Sequence, residues 1–280
     1  MERQDVDTFL NFLAREKGCS RNTLDAYRND LTQMLDFFLV EGIEKLDSDG
    51  DNLVMSFLLK LREKGYSPST VARKVASMKS FFRFMFESGR LKVNPGRNLL
   101  SPQVGKHAPG YLSDQEYHRL LAEPAGLSTP EAKRDVMMLE ILYATGLRVS
   151  ELVALNTADI DLKQCHICCV RGNGVRQLPI DTCICELLDG YLRGARLDLL
   201  YNEKEDALFL NGRGGRLTRQ GFWQIIKGYA IKADMGTKVT PRILRHSFAI
   251  NKLNKGDRIQ SVQHLLGHAY LSSTRVYKQV

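Results

Sequence analysis

The stretch YATGLRVSEL, residues 143–152, joins two helix signals through an arginine. Gly146 is typical of a residue that ends a helix, and Ser150 of a residue that begins one. Arg148 stands between them with apolar neighbours, so we expect its side chain to be partly buried and to need an anionic partner. Glu151, three residues later, can be that partner. A structural salt bridge would leave the same pattern, so residues elsewhere must distinguish it from an active site.

Two further arginines stand together in TPRILRHSFAI, residues 240–250. Pro241 indicates the first turn of a helix, and Arg242 and Arg245 lie three residues apart on one face of it. Two guanidinium groups without a neighbouring acid favour an anionic ligand, because each offers a fork of donors that matches the oxygens of a phosphate. His268, in LLGHAYLSS, can donate to the same phosphate or move a proton, although a histidine after glycine can also serve only as a cap.

The first hundred residues carry four amphipathic helical patterns, which predict a compact all-α bundle over residues 1–100. Glycine or serine marks their ends. The predicted helices run from about Asp5 to Lys17, from Ser20 onwards, from about Asp51 to Lys64 and from Ser67 to about Ser88. Three prolines and three glycines then interrupt the pattern (NPGRNLLSPQVGKHAPG), and we expect an interdomain linker at residues 101–110.

Residues 111–280 are predicted to form a second domain, which is mainly α with a small β-sheet. Ser113 and Glu116 form a capping box at its start. Two β-like runs in CHICCVRGNGVRQLPI flank a Gly-Asn-Gly turn and predict a hairpin. Helices are expected from about Arg134, at Ser150, after Leu187, after Thr218 and from Pro241.

The positive charge of the chain, +8 overall, is concentrated in residues 60–106. This segment holds eleven Lys or Arg residues against two acids, whereas residues 1–59 hold six against twelve. Such an excess is typical of a surface that binds a polyanion, although a solvated helix face is an alternative. Nucleic acid is the favoured partner, and the candidate DNA contacts are Arg73, Lys74, Lys79, Arg83, Arg219 and Gln220.

The composition, 43% hydrophobic and 26% charged, is that of a soluble globular protein. No apolar run approaches the roughly 20 residues that span a bilayer, and the charged N-terminus lacks the apolar core of a signal peptide. We therefore expect a cytoplasmic protein without a membrane partner. Five of the six cysteines fall within residues 165–185, which raises the alternative of structural zinc. Their placement in a β-like run and in a helix disfavours that site.

Four segments together, ATGLRVSEL, LRHSFA, LLGH and STRVY, resemble in order and approximate spacing the signature boxes of the tyrosine recombinases. That family comprises the phage integrases and the Xer-type recombinases. CSRNTLDAYRNDL and YSPSTVARKVASMKSFFRFM are similar to its N-terminal core-binding domain, and LTRQGFWQIIKGYA to a further stretch of its catalytic domain. The resemblance spans nearly the whole chain, and four ordered boxes are far more specific than any one of them.

Tyr277, taken alone in its polar terminal segment, is interpreted as a packing residue or part of a frayed end. The resemblance implies instead that its phenolate attacks a DNA phosphodiester, giving a 3′-phosphotyrosyl link and a free 5′-hydroxyl. It implies that Arg148 and Arg245 stabilise the pentacoordinate phosphorane, that His268 adds a hydrogen bond, and that Glu151 orients the first arginine. It also implies no metal or cofactor, double-stranded DNA as partner, and a homo-tetramer or hetero-tetramer on paired DNA sites.

Three features depart from the family pattern. A lysine flanked by glycines usually serves as general acid in the hairpin, and here Asn173 stands at that place, where an amide cannot protonate an alkoxide. Arg171, Arg176 and Lys163 are the possible substitutes, although a guanidinium is a poor acid. Arg242 occupies a catalytic position that is commonly histidine. Relatives usually continue past the tyrosine with a helix that docks on a neighbouring subunit, so this sequence either is truncated or assembles differently.

The sequence therefore predicts a tyrosine site-specific recombinase that cuts and rejoins duplex DNA. Two alternatives remain open. The first is a recombinase-derived DNA-binding protein with impaired cleavage, which Asn173 favours. The second is an enzyme like type IB topoisomerases, which would relax DNA by the same chemistry without strand exchange.

Overall fold

A computed structural model of the protein describes residues 2–42, 50–103, 105, 110–171 and 174–279. The chain divides into two units, Met1–Lys106 and His107–Val280. Of the predicted linker at residues 101–110, residue 104 and residues 106–109 lie outside the described part. Within those described ranges, no helix is both long and apolar enough to cross a bilayer.

The described residues of the first unit form four helices, which confirms the predicted helical bundle. They are α1 (Arg3–Glu16), α2 (Arg21–Val40), α3 (Gly50–Glu63) and α4 (Pro68–Glu87). The hydroxyls of Ser20 and Ser67 each accept the backbone N–H three residues later at 3.3 Å, and so begin α2 and α4. The apolar faces of the four helices meet in one core, where Phe9 and Phe81 pack edge-on with ring centroids 5.5 Å apart.

The second unit is mainly helical and carries one small sheet, as the sequence predicts. Its helices are α5 (Asp114–Ala125), α6 (Pro130–Thr145), α7 (Val149–Leu152), α8 (Thr182–Arg193), α9 (Ala195–Asp198), α10 (Arg219–Lys232), α11 (Pro241–Asn254), α12 (Ile259–Leu266) and α13 (Ser272–Arg275). Short 3-10 helices lie at Thr157–Asp159, Gly236–Lys238 and Val276–Gln279. Most of the apolar side chains form one large core, and α11, α12 and the C-terminal segment share a smaller one.

The sheet contains the predicted hairpin and one strand that the sequence did not indicate. Strands β1 (Ile160–Asp161), β2 (His166–Arg171) and β3 (Gly174–Pro179) are antiparallel in the order β1-β2-β3. β2 and β3 pair along their full length, with Cys169 opposite Arg176. The strand β1 has only two residues, too few for an alternating pattern to be visible in the sequence.

Two helix starts differ from the sequence expectation. α6 begins at Pro130 rather than near Arg134, because the hydroxyl of Thr129 accepts the backbone N–H of Ala132 at 3.2 Å and proline occupies the first turn. α8 begins at Thr182 rather than after Leu187. Its first buried side chain is a cysteine, which packs as a small apolar residue and extends the helical stripe towards the N-terminus.

Candidate active site

Arg148 lies at the sharp turn between α6 and α7, as the sequence predicts. Gly146 ends α6 in the left-handed conformation with φ +62°, and a Cβ there would overlap the ring of Phe248 on α11. Only glycine allows the turn to pack this closely. The backbone N–H of Arg148 donates to Oε2 of Glu151 at 2.8 Å, and its Nη1 donates to Oε1 at 2.9 Å. The predicted pairing of these two residues is confirmed, and it involves both carboxylate oxygens.

Glu151 is a buried acid surrounded by three arginines. Besides Arg148, Arg176 on β3 donates from Nη2 to Oε2 at 3.1 Å, and Nη1 of Arg245 lies 3.9 Å from the same oxygen. Burial raises the pKa of the Glu151 carboxyl, but the backbone N–H of Arg148 and the charges of Arg176 and Arg148 outweigh it, so the pKa lies below its ordinary value. One ionised carboxylate facing three guanidinium groups leaves an excess of positive charge, which favours an anionic ligand.

Arg245 is held by two backbone carbonyls that only the tertiary fold brings together. From α11, its Nη1 donates to the carbonyl of Gly146 and its Nη2 to the carbonyl of Leu266, each at 2.5 Å. Both carbonyls lie at the C-terminal ends of helices, where a cation is favoured. Burial and the charge of Arg148 lower the pKa of Arg245, Glu151 opposes them, and the resulting pKa is about 10. Arg245 therefore stays charged at neutral pH and is fixed in place.

His246 belongs to the same cluster, although the sequence analysis did not single it out. Nε of Arg242 donates to Nε2 of His246 at 3.4 Å, and the His246 ring centroid lies 5.3 Å from that of Tyr277. Burial lowers the pKa of His246, and the charge of Arg242 lowers it further. The spacing of Arg242, Arg245 and His246 at i, i+3 and i+4 places all three on one face of α11, a signal that was present in the sequence.

His268 and Tyr277 come from the C-terminal segment. Gly267 ends α12 in the left-handed conformation with φ +60°, and His268 follows directly. Nδ1 of His268 lies 2.9 Å from Oγ1 of Thr274. The rings of His268 and Tyr277 are nearly parallel, at 20°, with centroids 6.5 Å apart. The two predicted residues are thus neighbours in the fold.

Tyr277 is a packing residue and also faces the arginines. Its side chain is 6% exposed and completes the small apolar core formed with α11 and α12. Burial raises the pKa of its phenol above the ordinary value, while the charges of Arg245, Arg242 and Arg148 oppose this rise. Arginines from two distant sequence motifs therefore act on the same hydroxyl group.

The turn of the hairpin, where related recombinases usually carry the lysine general acid, lies outside the described residues. This applies to Asn173, and the side chain of Arg171 is also outside the described part. Lys163 precedes β2, at the opposite end of that strand from the turn. At about 3.3 Å per residue, the six residues of β2 separate the two ends by roughly 17–20 Å. The role of Lys163 as a substitute general acid stays a prediction.

Lys74, one of the predicted DNA contacts, has a structural role in the first unit. Its side chain is 6% exposed, and its Nζ donates to Oδ1 of Asp30 at 2.9 Å and to Oε1 of Gln33 at 2.6 Å. Arg73 donates to the other oxygen of Asp30. A buried carboxylate needs such partners, because an unpaired charge in the interior is strongly destabilising. The sequence expectation for Lys74 is corrected: charge counting does not show which cations are already used inside the protein.

The remaining predicted DNA contacts are more accessible. Nζ of Lys79 donates to the backbone carbonyl of Leu99 at 2.9 Å, and Arg83 forms an exposed ion pair one turn along α4. Arg219 and Gln220 are exposed in the first turn of α10. Their role in binding DNA stays a prediction.

The cysteines pack as ordinary side chains. All six are free thiols, and Cys169 and Cys185 are buried in the large core of the second unit. Across the part of the chain that the structure describes, no three side chains of His, Cys, Asp or Glu are grouped so that they could hold a metal ion.

Comparison with known proteins gives matches over nearly the whole chain. Residues 110–280 match the phage integrase family, and residues 6–89 match the N-terminal SAM-like domain of phage integrases. The tyrosine recombinase XerC of Roseiflexus sp. (strain RS-1) is 45% identical over 278 residues, which cover 98% of this chain and 88% of the relative. The tyrosine recombinase XerC of Herpetosiphon aurantiacus is 43% identical over 279 residues, covering 99% and 91%.

The fold also matches a solved structure. The integrase of transposon Tn1549, in complex with circular intermediate DNA, superposes with a TM-score of 0.79 at 21% identity. The match covers 97% of this chain and 94% of that one. At this level of identity the likeness concerns the fold alone.

Proposed function

Since the chain belongs to the phage integrase family and is a tyrosine recombinase, we propose that Tyr277 is the nucleophile with which it cuts and rejoins duplex DNA at a specific site. The observation that carries this proposal is the place of Tyr277 in the cluster: its ring centroid lies 5.3 Å from that of His246, and the charges of Arg148 and Arg245 act on its phenol. Arg148, Arg245 and Tyr277 come from separate motifs, and a packing role for the tyrosine does not require arginine charges that act on its hydroxyl group.

The proposed reaction exchanges one phosphoester bond for another. The hydroxyl oxygen of Tyr277 bonds to phosphorus and loses its proton, the bond from phosphorus to the 5′-oxygen breaks, and that oxygen takes up a proton. The product is a 3′-phosphotyrosyl link and a free 5′-hydroxyl. A 5′-hydroxyl from the other DNA then attacks the link and restores the phenol. Because the ester is conserved in the covalent intermediate, rejoining needs no ATP, and the atoms balance without a cofactor.

The arginines have the charge and the fixed geometry that this transition state requires. A pentacoordinate phosphorane carries more negative charge than the diester, and cations held in advance stabilise it without reorganisation. Glu151 holds Arg148, and the carbonyls at two helix ends hold Arg245. We assign further hydrogen bonds to the same phosphate to Arg242 and His268.

The proposed partner is double-stranded DNA, bound through the basic segment of the first unit and through Arg219 and Gln220 of the second. Exchange between two duplexes breaks four strands, and each copy of the chain has one Tyr277. We therefore propose four copies on paired sites, identical or of two kinds. An enzyme with this substrate acts in the compartment that holds the DNA, which in bacteria is the cytoplasm.

The comparisons support neither alternative from the sequence analysis. The relatives reported above are named tyrosine recombinases, and neither is named a topoisomerase or a binding protein without cleavage activity. Plasmid relaxation distinguishes a topoisomerase-like enzyme from a recombinase, because a topoisomerase relaxes supercoiled DNA that lacks the recombination site.

Tyr277→Phe tests the proposal with the loss of one oxygen atom. Genomic fragments captured covalently by the wild-type protein identify the site, and a nicked duplex carrying it then traps the intermediate. We expect a protein–DNA band in denaturing gels for the wild type and none for the variant, with duplex affinity nearly unchanged. A persistent band from Tyr277→Phe would place the nucleophile elsewhere. Failure of the wild-type protein to capture any DNA would contradict the proposed function.

A further inference from the structure

Arg176 makes a contact in the arginine cluster to which the proposed reaction gives no role. Its Nη2 donates to Oε2 of Glu151 at 3.1 Å, while Oε1 of that carboxylate accepts Nη1 of Arg148 at 2.9 Å. The backbone N–H of Arg148 donates to Oε2 at 2.8 Å. The carboxylate is therefore bound from two separate elements, the α6–α7 junction and the middle of β3. Its orientation, and with it that of Arg148, depends on both.

The surroundings of Arg176 fix its own position. The side chain is 11% exposed, and Nη2 also lies 3.8 Å from Sγ of Cys169, its cross-strand partner on β2. A Cβ at Gly267 would overlap Nη1 of Arg176 and would lie 3.8 Å from Nη1 of Arg148. The guanidinium thus occupies space that glycine leaves open, and the turn just before His268 packs against it.

Stability alone does not explain a buried arginine at this place. Its Nε is buried and has no hydrogen-bond partner among the residues that the structure describes. A buried ion pair is in general weak evidence for stability, because replacing both of its members by apolar side chains of similar volume is often neutral or stabilising. Methionine has about the right length for the same space and leaves no unpartnered donor.

We propose that Arg176 is a positioning residue for DNA cleavage: it holds Glu151 so that Arg148 stays aimed at the scissile phosphate, and it supports the Gly267 turn that carries His268. The inference rests on the proposed roles of Tyr277 and Arg148. Arg176 acts through Glu151 and does not serve as the missing general acid, because its guanidinium is engaged by the carboxylate and a guanidinium is a poor proton donor.

The proposal predicts a loss of rate without a matching loss of affinity. Misplacing a catalytic group by about 1 Å can lower a rate about 100-fold. We therefore expect Arg176→Met to lower single-turnover cleavage of the nicked duplex by roughly 100-fold. The dissociation constant for DNA should change by less than about threefold, and the melting temperature should fall by less than in Glu151→Gln, because Glu151 keeps Arg148 as a partner. Arg176→Lys should recover part of the rate. Arg193→Met is the matched control, because this arginine is 79% exposed and pairs with an acid on its own helix.

Two double variants test whether Arg176 acts through its neighbours. If Arg176 works by holding Glu151, adding Arg176→Met to Glu151→Gln should lower the rate by less than about threefold more, since coupled residues are not additive. Gly267→Ala strains the left-handed backbone in either background and in the wild type also displaces the guanidinium, so it should slow the wild type by more than it slows Arg176→Met, in which the overlapping atom is gone. Full additivity in both pairs would overturn the proposal.

A sulfur leaving group separates positioning from acid catalysis. On a duplex with a 5′-bridging phosphorothiolate, a variant that lacks the general acid recovers its rate, because a thiolate departs without a proton. We expect Arg176→Met to be as defective on this substrate as on normal DNA. Recovery on the thio substrate would make Arg176 the acid and overturn the inference. A variant that cleaves like wild type would overturn the inference alone, whereas a wild type without a Tyr277-dependent adduct would overturn the proposed function as well.

Discussion

Replacing Glu151 by glutamine should destabilise the free protein and at the same time strengthen its binding of anions. The carboxylate lies 2.9 Å, 3.1 Å and 3.9 Å from nitrogens of Arg148, Arg176 and Arg245. Unit charges about 4 Å apart attract by about 4 kcal/mol at an effective dielectric constant of about 20. Removing one partner of a buried pair costs about 3–5 kcal/mol, so we expect this loss in the free energy of unfolding of the second unit.

This loss converts to a measurable change in melting temperature. For a domain of about 150–250 residues each kcal/mol shifts the midpoint by about 2–4 °C, which predicts a drop of roughly 6–20 °C for Glu151→Gln. Sulfate, a tetrahedral dianion, should raise the melting temperature of the variant more than that of the wild type, because three guanidinium groups then lack their internal counter-ion. Sodium chloride at matched ionic strength controls for screening.

The exposed acid Glu203 provides the matched variant, since Glu203→Gln removes the same charge at a position outside the arginine cluster. It should leave both the melting temperature and the response to sulfate unchanged. If Glu151→Gln melted within about 2 °C of the wild type, the carboxylate would not be the counter-ion of the cluster. An equal response of both proteins to sulfate would mean that the arginines do not form an anion site.

Two further perturbations follow from other buried groups. His246→Asn should make the stability of the fold less sensitive to acid. The pKa of His246 is lowered in the folded state, so the unfolded state binds more protons, and the stability of the wild type falls as the pH drops below the unfolded pKa of about 6.5. Urea unfolding of both proteins at pH 7 and at pH 5 measures this difference. Lys74→Met should lower the unfolding free energy of the first unit by about 1.5–3 kcal/mol, because Asp30 loses a buried charged hydrogen bond. This loss should be measurable in urea unfolding without DNA. The control Arg83→Gln, at an exposed position on the same helix, should leave the urea midpoint unchanged.

The sequence predicts those parts of the fold that depend on local signals. Serine caps and glycine stops predict the ends of the helices in the first unit to within a residue or two, because these signals act on the chain that immediately surrounds them. The pairing of Arg148 with Glu151 is of the same kind, since three residues in one helical turn bring the two side chains together. The hairpin follows from its turn and its alternating strands.

The parts that could not be predicted depend on contacts between distant segments. Nothing local indicates that Arg245 donates to the carbonyls of Gly146 and Leu266, because those carbonyls come from two other helices. The role of Lys74 was missed for the same reason, since its partner Asp30 lies on another helix. His246 is different, because its helical spacing from Arg242 was visible and was not used.

The burial of Tyr277 fits a nucleophile better than its raised pKa first suggests. Because burial raises the pKa of the Tyr277 phenol above its ordinary value, the phenol keeps its proton at neutral pH, and that proton must leave as the bond to phosphorus forms. The apolar contacts that raise the pKa also exclude water from the space next to Arg245, where a guanidinium then acts on a phosphate more strongly than it would in water. The packing that disfavours the free phenolate thereby strengthens the attraction between Arg245 and a phosphorane at the same place.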